Sequence, residues 1–207
     1  MPSQTFFNLS EEKRERLIQG AMKEFVEVPL HKASVSNIII NAKISRGSFY
    51  QYFEDINDLY IYLLGLFYQN TNNLLQTCIQ KKDGDFIDGL ADFGNRYIKS
   101  IMTNKKVGFY KNMYLNMNYQ LQTEMIKNQS NAEKRSTEKG LQGILSKINF
   151  DTVSIEEEKE ISDIIDFCIT ILNHTIIEGF YTAWSVSKTQ ETFQNRLNWI
   201  GQGVRSS

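Results

Sequence analysis

Residues 34–53 read SVSNIIINAKISRGSFYQYF, and their second half gathers a guanidinium, hydroxyls and phenols within eight positions. Ser45, Arg46, Gly47, Ser48, Tyr50, Gln51 and Tyr52 offer donors and acceptors suited to base edges and phosphates. Residues 29–53 carry Lys32, Lys43 and Arg46 and no Asp or Glu, a local +3 in a chain of formal net charge −1. A small basic patch on a neutral protein suits a duplex held through a few phosphate contacts. From charge alone, a solvated loop without acids is the simpler reading, so the argument rests on spacing.

The rest of the chain offers little chemistry. Residues 61–207 hold 16 basic and 16 acidic groups, and the only histidines are His31 and His174. No Ser/His/Asp set or Gly-rich phosphate loop can be assembled, so no enzyme and no cofactor are expected. His174 and Cys168 are six positions apart and share no helical face, and neither has a CxxC or HxxxH partner; no metal site is expected. His174, in an apolar helix, is expected as a hydrogen-bonded core residue. Cys78 and Cys168 fit small core side chains better than a disulfide.

Helices must position these groups. Only Pro2 and Pro29 could interrupt them, and no segment alternates apolar and polar residues. Ser10 with Glu11 and Glu12 predicts a helix start, and Leu17, Ile18, Ala21, Met22 and Phe25 give it one apolar face until Pro29. Ser34 and Ser45 predict caps for two short helices, the first burying Val35, Ile38, Ile39 and Ala42, the second Phe49 and Phe53. Asp55, with Asp58 three positions on, starts a long helix from Ile56 to about Cys78. Lys81 to Asp85 breaks the pattern, and helices follow near 86–104, 107–121, 122–148, 155–184 and 189–203. The chain reads as all-α with about nine helices: an N-terminal three-helix domain over 8–54 and a larger helical domain over 55–207.

In the N-terminal unit the turn Lys43-Ile44-Ser45 joins two short helices, as in a helix-turn-helix. Such a turn needs Ile44 buried, a small Ala42 where the helices approach, and a Ser45 cap whose neighbouring N–H groups face the DNA backbone. Ala42-Lys43-Ile44-Ser45-Arg46-Gly47-Ser48-Phe49-Tyr50-Gln51-Tyr52-Phe53 resembles the recognition segment of the TetR family of bacterial transcriptional regulators. The likeness covers roughly residues 10–60.

That resemblance implies double-stranded DNA as partner. It makes Arg46, Ser48, Tyr50, Gln51 and Tyr52 the groove-facing set, with Ser34, Ser36 and Lys43 on phosphates. Ser45 caps the recognition helix, and Gly47 allows close approach to DNA. Three positions depart from the family pattern. Lys43 replaces a turn glycine, so a left-handed backbone there would cost about 1 kcal/mol. Ile39 replaces a small alanine, and Ile56 stands where the family usually has a phosphate-binding lysine.

The segment FYKNMYLNMNYQLQTEMI, residues 109–126, mixes tyrosines and methionines with asparagines and glutamines. Flexible thioethers beside rings suit either an apolar pocket or an ordinary core with exposed asparagines, and composition leaves the two even. The resemblance favours a small-molecule effector site, with Phe67, Phe93, Tyr97, Tyr110, Met113, Tyr114, Met117 and Phe167 as lining candidates. The helices at about 155–184 and 189–203 are apolar on more than one face, which complete burial in one monomer or pairing with a second copy could explain. The resemblance implies a homodimer through that pair, matching a palindromic operator. The N-terminus lacks a secretory pattern and no uninterrupted apolar run approaches about 20 residues, so a cytoplasmic protein without a membrane span is expected. The expected function is a repressor released from its operator by an apolar or aromatic ligand; the alternative is a binding or scaffold protein whose helix-turn-helix is only structural.

Overall fold

The computed structural model describes residues 2–116, 139–153 and 157–204. Among them the regular elements are α-helices with two short 3-10 turns. The helices are α1 (Gln4–Phe7), α2 (Glu11–Glu27), α3 (Val35–Ala42), α4 (Arg46–Tyr52), α5 (Ile56–Gln80), α6 (Phe86–Thr103) and α7 (Val107–Asn116). Residues 139–145 form α8, followed by α9 (Glu158–Tyr181) and α10 (Val186–Val204). The all-α reading therefore holds. Met117 and the rest of the tyrosine–methionine segment beyond Asn116 lie outside the described residues.

Contacts group the described residues into two compact units, 2–68 with 104–116, and 69–103 with 139–153 and 157–204. The first unit closes around α2. Leu17, Ala21 and Phe25 meet Ile38 and Ala42 of α3, Phe49 and Phe53 at α4, Leu59, Leu63 and Leu64 of α5, and Phe109 and Met113 of α7. Ile39, Ile44 and Ile56 are half-buried against this core. Ile56 is thus a packing residue where a lysine would have reached outward.

Local caps set the short helices as the sequence predicts. The Ser34 hydroxyl accepts from the Ser36 N–H at 3.1 Å, and the Ser45 hydroxyl accepts from the Ser48 N–H at 3.0 Å. At the start of α5 the Asp58 N–H donates to the Asp55 carboxylate at 2.8 Å, while the Asp58 carboxylate accepts from the Glu54 N–H at 3.1 Å. Lys43 ends α3 at φ 54° and ψ 50°, the left-handed conformation that a glycine would adopt without strain.

One core element escapes sequence reasoning. Helix α1 has no amphipathic repeat to announce it, yet Phe6 is fully buried, 4.9 Å from the Phe53 ring and 5.1 Å from Tyr62. The three-helix unit thereby gains a fourth, N-terminal element.

In the second unit α6 packs on α10 and α9. A methyl group on Gly94 would overlap the Phe193 ring, and the side chains of Gln190 and Gln194 donate to the Asn95 and Ala91 carbonyls at 2.8 and 3.0 Å. Helix α9 is long and apolar enough, by length and composition, to cross a membrane. Its Ile161, Ile165, Cys168, Leu172, Ile176 and Phe180 are nevertheless buried within the unit. It ends at Tyr181, short of the expected 184, because Ala183 turns to φ 56°. His174, expected in the core, is exposed. Its Nδ1 lies 3.6 Å from Glu178, which also takes the Arg196 guanidinium at 2.7 Å.

Candidate nucleic-acid interface

Three residues of α2 fix α3 and its turn. Glu24 is buried, yet its carboxylate accepts from the Ser34 N–H at 2.8 Å and the Asn37 side-chain amide at 3.1 Å. It satisfies donors at the start of α3 and favours that helix end electrostatically. At the other end the Arg16 Nε donates to the Ala42 carbonyl at 3.0 Å. Between them Gly20 lets the α2 backbone lie against Ala42. None of the three was legible as a site residue, because each acts through an approach that spacing in one helix does not encode.

Helix α4 follows directly from that turn. Arg46, at its first position, is exposed and donates from Nη1 to the Ser36 hydroxyl and from Nη2 to the Tyr50 hydroxyl, each at 3.4 Å. Its guanidinium carbon stands 5.7 Å from the centroid of the Tyr50 ring, within reach of a cation–π contact. Among the described residues Arg46 meets no carboxylate, so its charge is not neutralised within the fold. The Ser45 and Ser48 hydroxyls are 2.8 Å apart beside it.

The structure links Ser36, Arg46 and Tyr50 through the Arg46 guanidinium, and separately pairs the Ser45 and Ser48 hydroxyls at the start of the same helix. Gly47 and Gln51 are exposed on the same short helix, and Lys43 is exposed at the turn. Ser34 is half-buried, with its N–H given to Glu24 and its hydroxyl engaged as the cap of α3. Tyr52 departs from the outward placement expected of it. Its ring is half-buried, 6.5 Å from Phe6, because α1 covers that side of α4. Ser3 completes the cover: its N–H donates to the Tyr52 carbonyl at 2.8 Å and its hydroxyl to the Gln51 carbonyl at 2.5 Å.

The described effector-lining candidates are divided between the two units. Phe67, Tyr110, Met113 and Tyr114 belong to the first unit, where Met113 is buried and the other three are half-buried against its core. The Phe67 and Tyr110 rings are 5.4 Å apart. Burial raises the Tyr110 phenol above its ordinary range. Phe93 and Tyr97 belong to the second unit, buried and stacked at 5.3 Å. Phe167 is 56 % exposed on α9 and points outward.

Within the same polar segment Asn112 is a structural clamp. Its amide donates to the Phe25 and Val26 carbonyls at 3.1 and 3.2 Å, closing the C-terminal end of α2 from α7. Among the described residues no group of three His, Cys, Asp or Glu side chains could hold a metal ion.

Comparison with known proteins agrees with this architecture. Residues 17–63 match the family model described as bacterial regulatory proteins of the tetR family, and residues 85–204 match that of the tetracyclin repressor-like C-terminal domain. Similar solved structures include a TetR-family transcriptional regulator from Pectobacterium atrosepticum (16% identity, TM-score 0.60), covering 95% of this chain and 96% of that one. FadR of Bacillus halodurans, a fatty acid degradation regulator, is 16% identical with a TM-score of 0.60, over 92% of this chain and 96% of its own. FadR of Bacillus subtilis, solved in complex with stearoyl-CoA, is 15% identical with a TM-score of 0.59, over 88% and 96%. The search of curated proteins gives no match. With its recognition segment and most of its remaining length matched by the family models, this chain belongs to the TetR family of bacterial regulatory proteins.

Proposed function

We propose that the protein is a homodimeric, cytoplasmic repressor that binds a palindromic operator and is released from it by a small, largely apolar or aromatic ligand. In this reading residues 8–54 bind DNA, and residues 55–207 bind the effector and pair the subunits. The observation that carries it is the unneutralised Arg46 guanidinium at the first position of the Ser45-capped helix α4. An exposed cation beside free helix N–H groups is suited to phosphate or to the O6 and N7 atoms of guanine. Lys43, Ser48, Tyr50 and Gln51 complete the DNA-facing set, and Ser34 and Ser36 adjoin the backbone.

Pairing of subunits is supported by the outer face of α9. Phe167, Ile177 and Tyr181 are exposed there, with Trp199 exposed on α10. Phe167, Thr170, His174, Ile177 and Tyr181 recur at alternating three- and four-residue steps, the spacing of one helical stripe. Solvated apolar groups in such a row mark an interaction face more often than an unpaired surface. Two-fold pairing would present two α4 helices to two half-sites.

A ligand that releases DNA must favour one conformation of the dimer, typically by about 1–3 kcal/mol. The stearoyl-CoA bound by FadR of Bacillus subtilis makes long acyl thioesters one class to include among test ligands, beside aromatic compounds. Selection of genomic fragments with purified protein, repeated with metabolite extracts, tests the reading. It predicts one enriched palindrome, lost with Arg46→Ala and weakened by extract. Enrichment of no sequence at low salt would favour a scaffold instead.

A further inference from the structure

We propose that Ser36 is a positioning residue for Arg46, so that base discrimination is set by a Ser36–Arg46–Tyr50 bracket and not by Arg46 alone. The proposal deepens the DNA-binding reading and rests on it. Ser36 sits in the first turn of α3, whereas Arg46 begins α4, so the contact crosses the turn that defines the motif. The Ser36 N–H is capped by the Ser34 hydroxyl, while its own hydroxyl faces Arg46 across the turn. That hydroxyl accepts from Arg46 Nη1, while the Tyr50 hydroxyl accepts from Nη2 one turn along α4, each at 3.4 Å.

An exposed arginine ordinarily samples many rotamers, and the loss of that freedom weakens each contact it makes on binding. Here two hydroxyls on two helices hold both terminal nitrogens, and the Tyr50 ring lies under the guanidinium at 5.7 Å. Two of the five N–H groups of the guanidinium are engaged, which leaves three. Guanine needs two, at O6 and N7. The bracket thus limits the orientation of the fork without exhausting its donors. A serine that merely touched a phosphate would add affinity on every sequence and discriminate none.

The test uses the full-length protein and the operator recovered by selection, together with that operator substituted at each base pair in turn. Affinities are compared for the native protein, Ser36→Ala, Ser36→Thr, Tyr50→Phe, Arg46→Ala and the Ser36→Ala/Arg46→Ala double variant. Ser36→Ala is expected to lose about tenfold of discrimination at the same base pair that Arg46→Ala relaxes. Tyr50→Phe, which keeps the ring, should relax that position in part, and Ser36→Thr, which keeps the hydroxyl, should restore it. The double variant should be no worse than Arg46→Ala. Equal weakening on every operator by Ser36→Ala, additive with Arg46→Ala, would overturn the bracket while leaving the DNA-binding reading intact. A native protein that discriminates no operator would instead remove the reading itself. Melting curves of the variants separate either result from loss of fold, and Tyr50→Phe carries the test if Ser36→Ala proves unstable.

Discussion

Gly20 of α2 and Ala42 of α3 are in backbone contact: a methyl group on Gly20 would stand 2.7 Å from the Ala42 nitrogen and 2.8 Å from its Cβ. Both helices sit in the core of the DNA-reading unit, so neither can yield without disturbing Leu17 or Ile38. Gly20→Ala should destabilise the protein by about 1–3 kcal/mol through overpacking, even though alanine is the better helix former. A urea midpoint equal to that of the native protein would show that α3 can shift freely.

Lys43 couples stability against binding. Its left-handed backbone is strained for any residue with a Cβ. Lys43→Gly should therefore stabilise the fold by about 0.5–1 kcal/mol once the added freedom of the unfolded chain is discounted. If Lys43 meets a phosphate, the same change lowers operator affinity and makes the salt slope shallower by about 0.9 per subunit. Thermal melts and a salt titration of binding read the two effects separately; a variant that binds as before assigns Lys43 to the turn alone.

The caps explain why the first unit was so legible. Ser34, Ser45, Asp55 and Asp58 act within four residues of their targets, so spacing alone reveals them. Glu24, Arg16, Gly20 and Asn112 act on carbonyls, amides or backbone brought near by packing, and polar type or size alone says nothing of the partner. Phe6 was hidden because a four-residue helix shows no periodicity. His174, expected in the core because its helix is apolar, lies instead on the one stripe of α9 that stays open.

Asn112 offers a direct measure of the clamp on α2. Asn112→Ala removes two donors and leaves the Phe25 and Val26 carbonyls to solvent or to nothing. A loss of about 1–2 kcal/mol is expected, with faster amide exchange at the end of α2. Unaltered exchange there would mean that Gly108, whose Cα faces the Val26 carbonyl, holds the contact unaided.

The two thiols make stability fall in alkali. Burial, with the Asp92 carboxylate beside it, pushes the Cys78 thiol from 9.0 to about 11, and burial alone pushes Cys168 from 9.0 to about 12. Below pH 9 both thiols are protonated in either state and contribute fully. As pH rises further the unfolded chain loses these protons first, so stability declines until the folded thiols ionise. Unfolding midpoints should drop between pH 9 and 11, less so in Cys78→Ala/Cys168→Ala, and alkylation at pH 8 should be slow until the protein unfolds. Identical alkaline slopes in both proteins would assign the decline elsewhere.

Charge on the α9 stripe tests the proposed dimer. Phe167→Glu with Tyr181→Glu replaces two solvated apolar groups, 56 % and 81 % exposed, without touching the buried face. Sedimentation should then give a monomer with native helicity and weakened operator binding. A dimer that survives both charges would place the pairing surface outside this stripe.

The far end of the recognition helix is held by residues that precede every element of the helix-turn-helix. Ser3 takes up the Gln51 and Tyr52 carbonyls, and Phe6 fills the space beneath them. An affinity tag fused ahead of Ser3 is thus joined directly to the recognition helix. A leader left ahead of Ser3 by cleavage would register first as a change in operator preference.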